Sequence, residues 1–181
     1  MRKNKPITEQ YLKNYAIFYL EKFDNSAYGL KRVLERQVYK KSILLGEDHT
    51  LHKEKITNAV NYCIEKNYIN DNRYSENLVI RLKNKGFSKK KIILKLQEKG
   101  IEKNIYEEIL SNSIDEMHQS IQFIKKKKLG VFDTKEEPYE KQLAKLARNG
   151  FSYNIAQKVL HLSREEIEEL EEEIDNSSFS L

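Results

Sequence analysis

Residues 84 to 100 read "NKGFSKKKIILKLQEKG". A glycine, a phenylalanine and a serine stand between two runs of helix formers. Gly86 is placed to end one helix. Ser88 is placed to start the next, because its hydroxyl can accept a bond from an otherwise unpaired N–H of the first turn. Ile92 and Leu96 follow the serine at spacings of four and eight, on one stripe of the new helix. Two other stretches share this layout. "KFDNSAYGLKRVL" (22–34) sets Leu30 and Leu34 at the same offsets from Ser26, and "NGFSYNIAQKVL" (149–160) sets Ala156 and Leu160 from Ser152. The serines are 62 and 64 residues apart. In the last two copies Gly86 and Gly150 can take the left-handed conformation that closes a helix, with Phe87 and Phe151 plugging the corner.

Each capped helix has an amphipathic one before it. The apolar stripes are Leu12, Tyr15, Ala16, Tyr19, Leu20 and Phe23; then Tyr74, Leu78, Val79 and Leu82; then Tyr139, Leu143, Leu146 and Ala147. A third helix follows each pair. It is carried by Ile56, Ala59, Val60, Cys63 and Ile64, by Ile105, Ile109 and Leu110, and by Ile167, Leu170 and Ile174. No stretch alternates with period two long enough for a strand. The expected fold is all-α, with three tandem three-helix, helix-turn-helix-like repeats in an elongated array. Repeat 1 spans 7–69 with a basic insertion at 35–53, in which Ile43, Leu44 and Leu45 extend the second helix and Gly46 ends it. Repeat 2 spans 70–129, and its extended last helix runs from Asp115 into Lys125 to Lys128. A linker at 129–138 comes before the helices of the third unit, and repeat 3, spanning 130–176, closes on an acidic helix. Residues 1–6 and 177–181 are expected to be flexible ends.

Composition narrows the function. Charged residues make up 34% and apolar residues 39% of the 181, enough for a core beneath a large polar surface. The net charge of +5 hides an asymmetry: residues 163 to 181 hold one arginine against eight acids, a net of −7, so residues 1 to 162 carry +12. A basic body attracts polyanions, phosphate backbone above all. No run reaches the ~18 apolar residues of a membrane span, and the N-terminal stretch lacks a signal-peptide apolar region. The lone Cys63 has no disulfide partner in the chain. These features fit a cytoplasmic protein with no membrane association.

The candidate binding residues are cationic: Arg73, Arg81, Lys83, Lys85, Lys89, Lys90 and Lys91 around the central capped helix, and Lys125, Lys126, Lys127 and Lys128 at a helix end. A helix-turn-helix protein reads bases with the start of its second helix. Base edges are read by Arg, Asn or Gln through paired bonds, whereas lysines are point charges suited to phosphates. A transcription regulator of that kind is therefore the second reading. Near Asn70 and Asp71 a helix begins, with either residue able to cap it, and Arg73 is placed either for binding or for burial against neighbouring acids. "HTLH" (49–52) lacks the carboxylates or cysteines that would complete a metal site. Cys63 lies on an apolar face, as a core thiol does. There is no glycine-rich phosphate loop. No enzymatic activity, metal or cofactor is expected.

Taken together, "INDNRYSENLVIRLKNKGFSKKKIILKLQEKGI" (69–101) resembles the central repeat of the RecX family, bacterial regulators of the RecA recombinase. Asp71, Arg73, Tyr74, Ser75, Gly86, Lys99, Gly100 and Ile101 match the family's pattern. "KKKKLG" (125–130) resembles the basic run opening its third section, and "KQLAKLARNGFSYNIAQKVL" (141–160) its closing repeat. Asn70 departs from the first acidic position, and lysine largely replaces arginine. The resemblance implies a curved array of three three-helix repeats, and a monomer is expected. It also implies binding to the RecA–single-stranded DNA filament, with inhibition of its extension, ATP hydrolysis and strand exchange. Single-stranded DNA, and secondarily double-stranded DNA, would be bound without sequence preference.

Overall fold

In the computed structural model the described residues are 5–111 and 115–178, the side chains of 174–178 excepted. Among them the chain is helical and contains no strand. The helices are α1 (Glu9–Leu20), α2 (Ala27–Leu45), α3 (Lys53–Glu65), α4 (Asp71–Lys83), α5 (Lys89–Glu98), α6 (Lys103–Ser111), α7 (Glu116–Lys127), α8 (Tyr139–Arg148), α9 (Tyr153–His161) and α10 (Arg164–Ser178). The chain forms two compact units. One comprises Met1–Glu76 with Gln97–Ile105, the other Asn77–Leu96 with Tyr106–Leu181. Of the expected flexible ends, residues 1–4 and 179–181 lie outside the described residues. Ile7 is already core, at 2% exposure, and α10 extends through Ser178.

The first unit is built on α1, α2 and α3. Leu12 and Ala16 of α1, Leu30, Leu34 and Val38 of α2, and Ile56, Ala59, Val60 and Cys63 of α3 form one buried cluster. Each fully buried Leu or Ile contributes about 1.5–3 kcal/mol of transfer free energy. Burial pushes the Cys63 thiol upward in pKa, as befits a core thiol. Ser26 accepts from the Gly29 N–H at 3.0 Å and donates its own hydroxyl proton to the Lys99 carbonyl at 2.6 Å. Residues 35–45 continue α2 without a break, and Gly46 stops it at φ +68°. The stretch 35–53 is thus largely helix, followed by a 3-10 turn at His49–His52. Two stripe expectations fail at their edges. Phe23 lies beyond the end of α1, off its helical period, and is 56% exposed against the Tyr19 ring. Ile64 is one step, or about 100°, from Cys63 and faces outward.

The second unit centres on α7, α8, α9 and the start of α10. Ile121, Phe123, Ile124, Leu146, Phe151, Ala156, Val159, Leu160 and Ile167 pack together. Leu129 joins them at 1% exposure, with Val131 and Phe132 against the cluster, so 129–138 is a partly buried connection. Gln142 ties it down, accepting from the Gly130 N–H and donating to Asp133 and the Glu137 carbonyl. Ala147 is exposed because Leu146, one residue earlier, holds the core-facing position. The Ile174 side chain lies outside the described residues.

All three serines cap as expected. Ser88 accepts from Lys91 N–H at 3.1 Å and Ser152 from Ile155 N–H at 3.3 Å. Ser88 is fully buried and also donates to the Asn149 carbonyl at 2.6 Å, whereas Ser152 is exposed. Losing Ser88 therefore removes a cap and leaves a buried carbonyl without that donor. Ser88→Ala is expected to cost about 2–3 kcal/mol and Ser152→Ala about 1 kcal/mol. Urea denaturation of the two variants measures the difference; equal costs would contradict the second role of Ser88.

Candidate nucleic-acid interface

The start of α5 is anchored by Glu116, Gln119 and Asn149. The Glu116 carboxylate accepts from the Lys89 N–H at 3.2 Å, so this amide of α5 already has an anion. With its amide nitrogen turned inward, the buried Gln119 donates to the Lys83 and Phe87 carbonyls at 2.9 and 3.2 Å. Asn149 bonds the Gly86 carbonyl at 3.2 Å. Gly86 itself sits at φ +73°, and a Cβ there would lie 2.6 Å from the Phe123 backbone nitrogen. The corner is thus fixed by backbone contacts, and α5 projects Lys91 from a rigid base.

Beside that corner is a groove of about 460 Å³, lined by Phe87, Lys91, Phe123, Lys127, Lys145, Arg148 and Asn149. Four cations from α5, α7 and α8 converge on it. Phe123 is buried, stacked at a tilt on Phe151 with 5.9 Å between centroids, while Phe87 is half-buried and remains open to a ligand. Cations over an apolar floor with one accessible aromatic suit a strand whose phosphates are neutralised and whose bases lie on apolar surface. Arg148 steadies itself by donating Nε–H to the Ala144 carbonyl at 3.2 Å. Lys145 pairs with Glu137.

Of the expected cations, Lys91 and Lys127 line this groove. Arg81, Lys85, Lys90, Lys126 and Lys128 are exposed on the same unit; Lys83 and Lys89 are half-buried. Lys125 is engaged with α10, where Glu171 holds its ammonium at 2.6 Å, and its amine lies 6.0 Å from the centroid of the Phe132 ring. Lys127 and Lys128 also line a neighbouring hollow with Lys135 and Lys145, but Asp133, Glu136 and Glu137 share it. Arg73 belongs to the first unit, and its side chain is exposed, which overturns the alternative of burial against acids. Lys145 and Arg148 escaped the sequence reading. The internal repeat carried a signal for one of them: Lys145 precedes Gly150 by five residues, as Arg81 precedes Gly86.

Asn70, the departure from the family pattern, is the cap of α4. Its Oδ1 accepts from the Arg73 N–H at 3.0 Å, and Asn caps as well as Asp. Asp71 instead accepts from the Ala27 N–H at 2.9 Å. Burial raises the Asp71 carboxyl above the usual carboxylate range, against the lowering effect of that bond, and nearby Glu102 adds to the rise. A carboxyl raised on folding binds its proton more tightly in the native state, so it favours folding at low pH. That advantage fades as pH climbs from the ordinary Asp value of ~3.9 through the raised one. Asp71→Asn keeps an acceptor and removes the charge. It is expected to be more stable than the parent at pH 7, with the gap closing below about pH 4. A constant gap across a urea titration series at several pH values would refute this.

The histidines of "HTLH" have other partners. His52 is buried between Glu47 at 3.0 Å and Lys55 at 3.4 Å, and His49 meets Asp48 and the Tyr39 ring. Among the described residues no helix is long and apolar enough to cross a membrane.

No family model matches the chain. Individual proteins do. A protein from Myxococcus xanthus named Regulatory protein RecX is 28% identical over 166 residues, covering 88% of this chain and 89% of that one. Its namesake from Caldanaerobacter subterraneus subsp. tengcongensis is 28% identical over 171 residues, covering 90% and 82%. One from Vibrio parahaemolyticus is 24% identical over 143 residues, covering 78% and 84%. Over most of its length, then, the chain is similar to bacterial regulatory proteins named RecX.

Proposed function

We propose that the chain regulates the RecA recombinase by binding its filament on single-stranded DNA, opposing filament extension and lowering ATP hydrolysis and strand exchange. In this way it modulates recombination and DNA repair. The observation that carries the reading is the similarity, over nearly nine-tenths of the chain, to regulatory proteins named RecX. The groove supports it by offering Lys91, Lys127 and Arg148 to a phosphate backbone, while the Asn149 amide is already engaged with the Gly86 carbonyl. Part of the same proposal is that the three serine-capped segments are tandem three-helix repeats with the boundaries given above. The protein acts as a cytoplasmic monomer, and any fall in ATP consumption belongs to the filament.

The test is RecA ATPase on single-stranded DNA with this protein titrated at substoichiometric ratios. Inhibition at those ratios is expected, and its absence at every ratio removes the proposal. A sequence-reading transcription regulator would instead prefer one duplex site over random DNA by ~10³-fold or more.

A further inference from the structure

The first unit carries a second cationic cleft of different character. Its volume is about 420 Å³, and Arg32, Glu35, Arg36, Val38, Tyr39, His49, Lys53 and Ile56 line it. Arg32 and Arg36 stand one turn apart on α2, tied together by Arg36 Nε–H donating to the Arg32 carbonyl at 3.2 Å. That bond leaves the terminal nitrogens of Arg36 for a ligand. Lys53 enters from the start of α3. The floor is apolar, from Val38 and Ile56, and Tyr39 makes a wall braced edge-on by His49 at 5.2 Å. Two acids are near: Glu35 in the lining and Asp48 beside His49 at 3.6 Å. Three permanent cations still outnumber the one lining carboxylate. Beyond the cleft, on α2 and the 3-10 turn, Ile43, Leu44 and Leu51 are 64%, 69% and 71% exposed.

The exposed Ile43, Leu44 and Leu51 offer no aromatic face for bases to stack on, which is what a single strand uses. They suit a protein segment that alternates carboxylates with apolar side chains. We propose that this cleft is a docking site for an acidic, apolar peptide segment of a protein partner. Carboxylates of the segment take the Arg32–Arg36 fork and Lys53, and an apolar side chain enters the hollow of Val38, Tyr39 and Ile56. Planar guanidinium groups favour carboxylates through paired bonds. Ile43, Leu44 and Leu51 cover the flanking residues of the segment. The site is independent of the groove in the second unit and stands or falls without the filament reading.

Fluorescence anisotropy with the full chain tests it. The probes are a labelled ten-residue peptide of Asp and Glu with one Leu-Phe pair, the same peptide with Ser-Ser in place of that pair, and a labelled ten-nucleotide oligothymidine. The Leu-Phe peptide is expected to bind in the micromolar range, at least about tenfold tighter than the Ser-Ser peptide. Arg36→Glu should weaken the Leu-Phe peptide about tenfold or more while leaving oligothymidine binding unchanged. Tyr39→Ala should erase the preference for the Leu-Phe peptide and spare the weaker Ser-Ser binding. Circular dichroism of both variants verifies their fold, and both substituted side chains are exposed. Equal binding of the two peptides, or indifference of the Leu-Phe peptide to Arg36→Glu, overturns the proposal. Loss of oligothymidine binding in Arg36→Glu reassigns the cleft to nucleic acid and overturns it too.

Discussion

Replacing Lys91, Lys127 and Arg148 together by alanine is expected to abolish inhibition of the recombinase at ratios where the parent protein inhibits fully. The three side chains line one groove and come from three helices. Each cation neutralising a phosphate at an exposed site contributes about 1 kcal/mol, so single-stranded DNA affinity should fall roughly 100-fold. The salt dependence gives a sharper readout. Each phosphate contact on a single strand adds about 0.7 to the slope of log affinity against log salt, so three losses should flatten it by about 2. The control removes the same charge elsewhere: Lys31, Lys40 and Lys66, all exposed in the first unit. If that control loses as much affinity and slope as the groove variant, net charge alone attracts DNA and the groove has no special role. Lys145 is left out because its pairing with Glu137 would blur the result.

The second large effect concerns stability. Gly86 and Gly46 both sit near φ +70°, a conformation that costs a residue with a Cβ about 1–2 kcal/mol. At Gly46 nothing lies within 4 Å of where that Cβ would go, so Gly46→Ala should cost about 1 kcal/mol. At Gly86 the Cβ would meet the Phe123 backbone at 2.6 and 2.9 Å, and α7 would have to move to admit it. Gly86→Ala is therefore expected to cost at least about 3 kcal/mol, with loss of the groove, since Phe123 and Lys127 shift with α7. Denaturation midpoints of the pair decide the matter. Equal costs would mean that the close approach of the two backbones carries no energy.

The local features were legible in the chain because local chemistry sets them. A serine followed by apolar residues at four and eight places a cap and a buried stripe, and Ser26, Ser88 and Ser152 all behave so. Gly46, Gly86 and Gly150 end helices at positive φ, as a residue without a Cβ can. Stripe edges were less legible. Ile64 and Ala147 each stand next to a core position, and only packing decides which neighbour turns inward, while Phe23 lies past the end of α1. The candidate site was half legible. Lys91 and Lys127 stood out as members of lysine runs, whereas Lys145 and Arg148 stand among ordinary helix-face residues. Their importance comes from the corner at Gly86 and Asn149, which brings residues more than fifty positions apart onto one groove. Lys125 shows the reverse case. It belongs to the most conspicuous cationic run, yet Glu171 engages it.

The double duty of the buried serines reaches back to how the chain is made. Ser26 grips the carbonyl of Lys99, and Ser88 that of Asn149, spans of 73 and 61 residues. A nascent chain leaving the ribosome can wind α2 early, but that helix gains its outer anchor only after residue 99 has emerged. The helix beginning at Lys89 must likewise wait for residue 149. Assembly in the cell is therefore paced by translation of the following segment. A transcript truncated between those points would release a chain whose newest capped helix is wound but not yet moored.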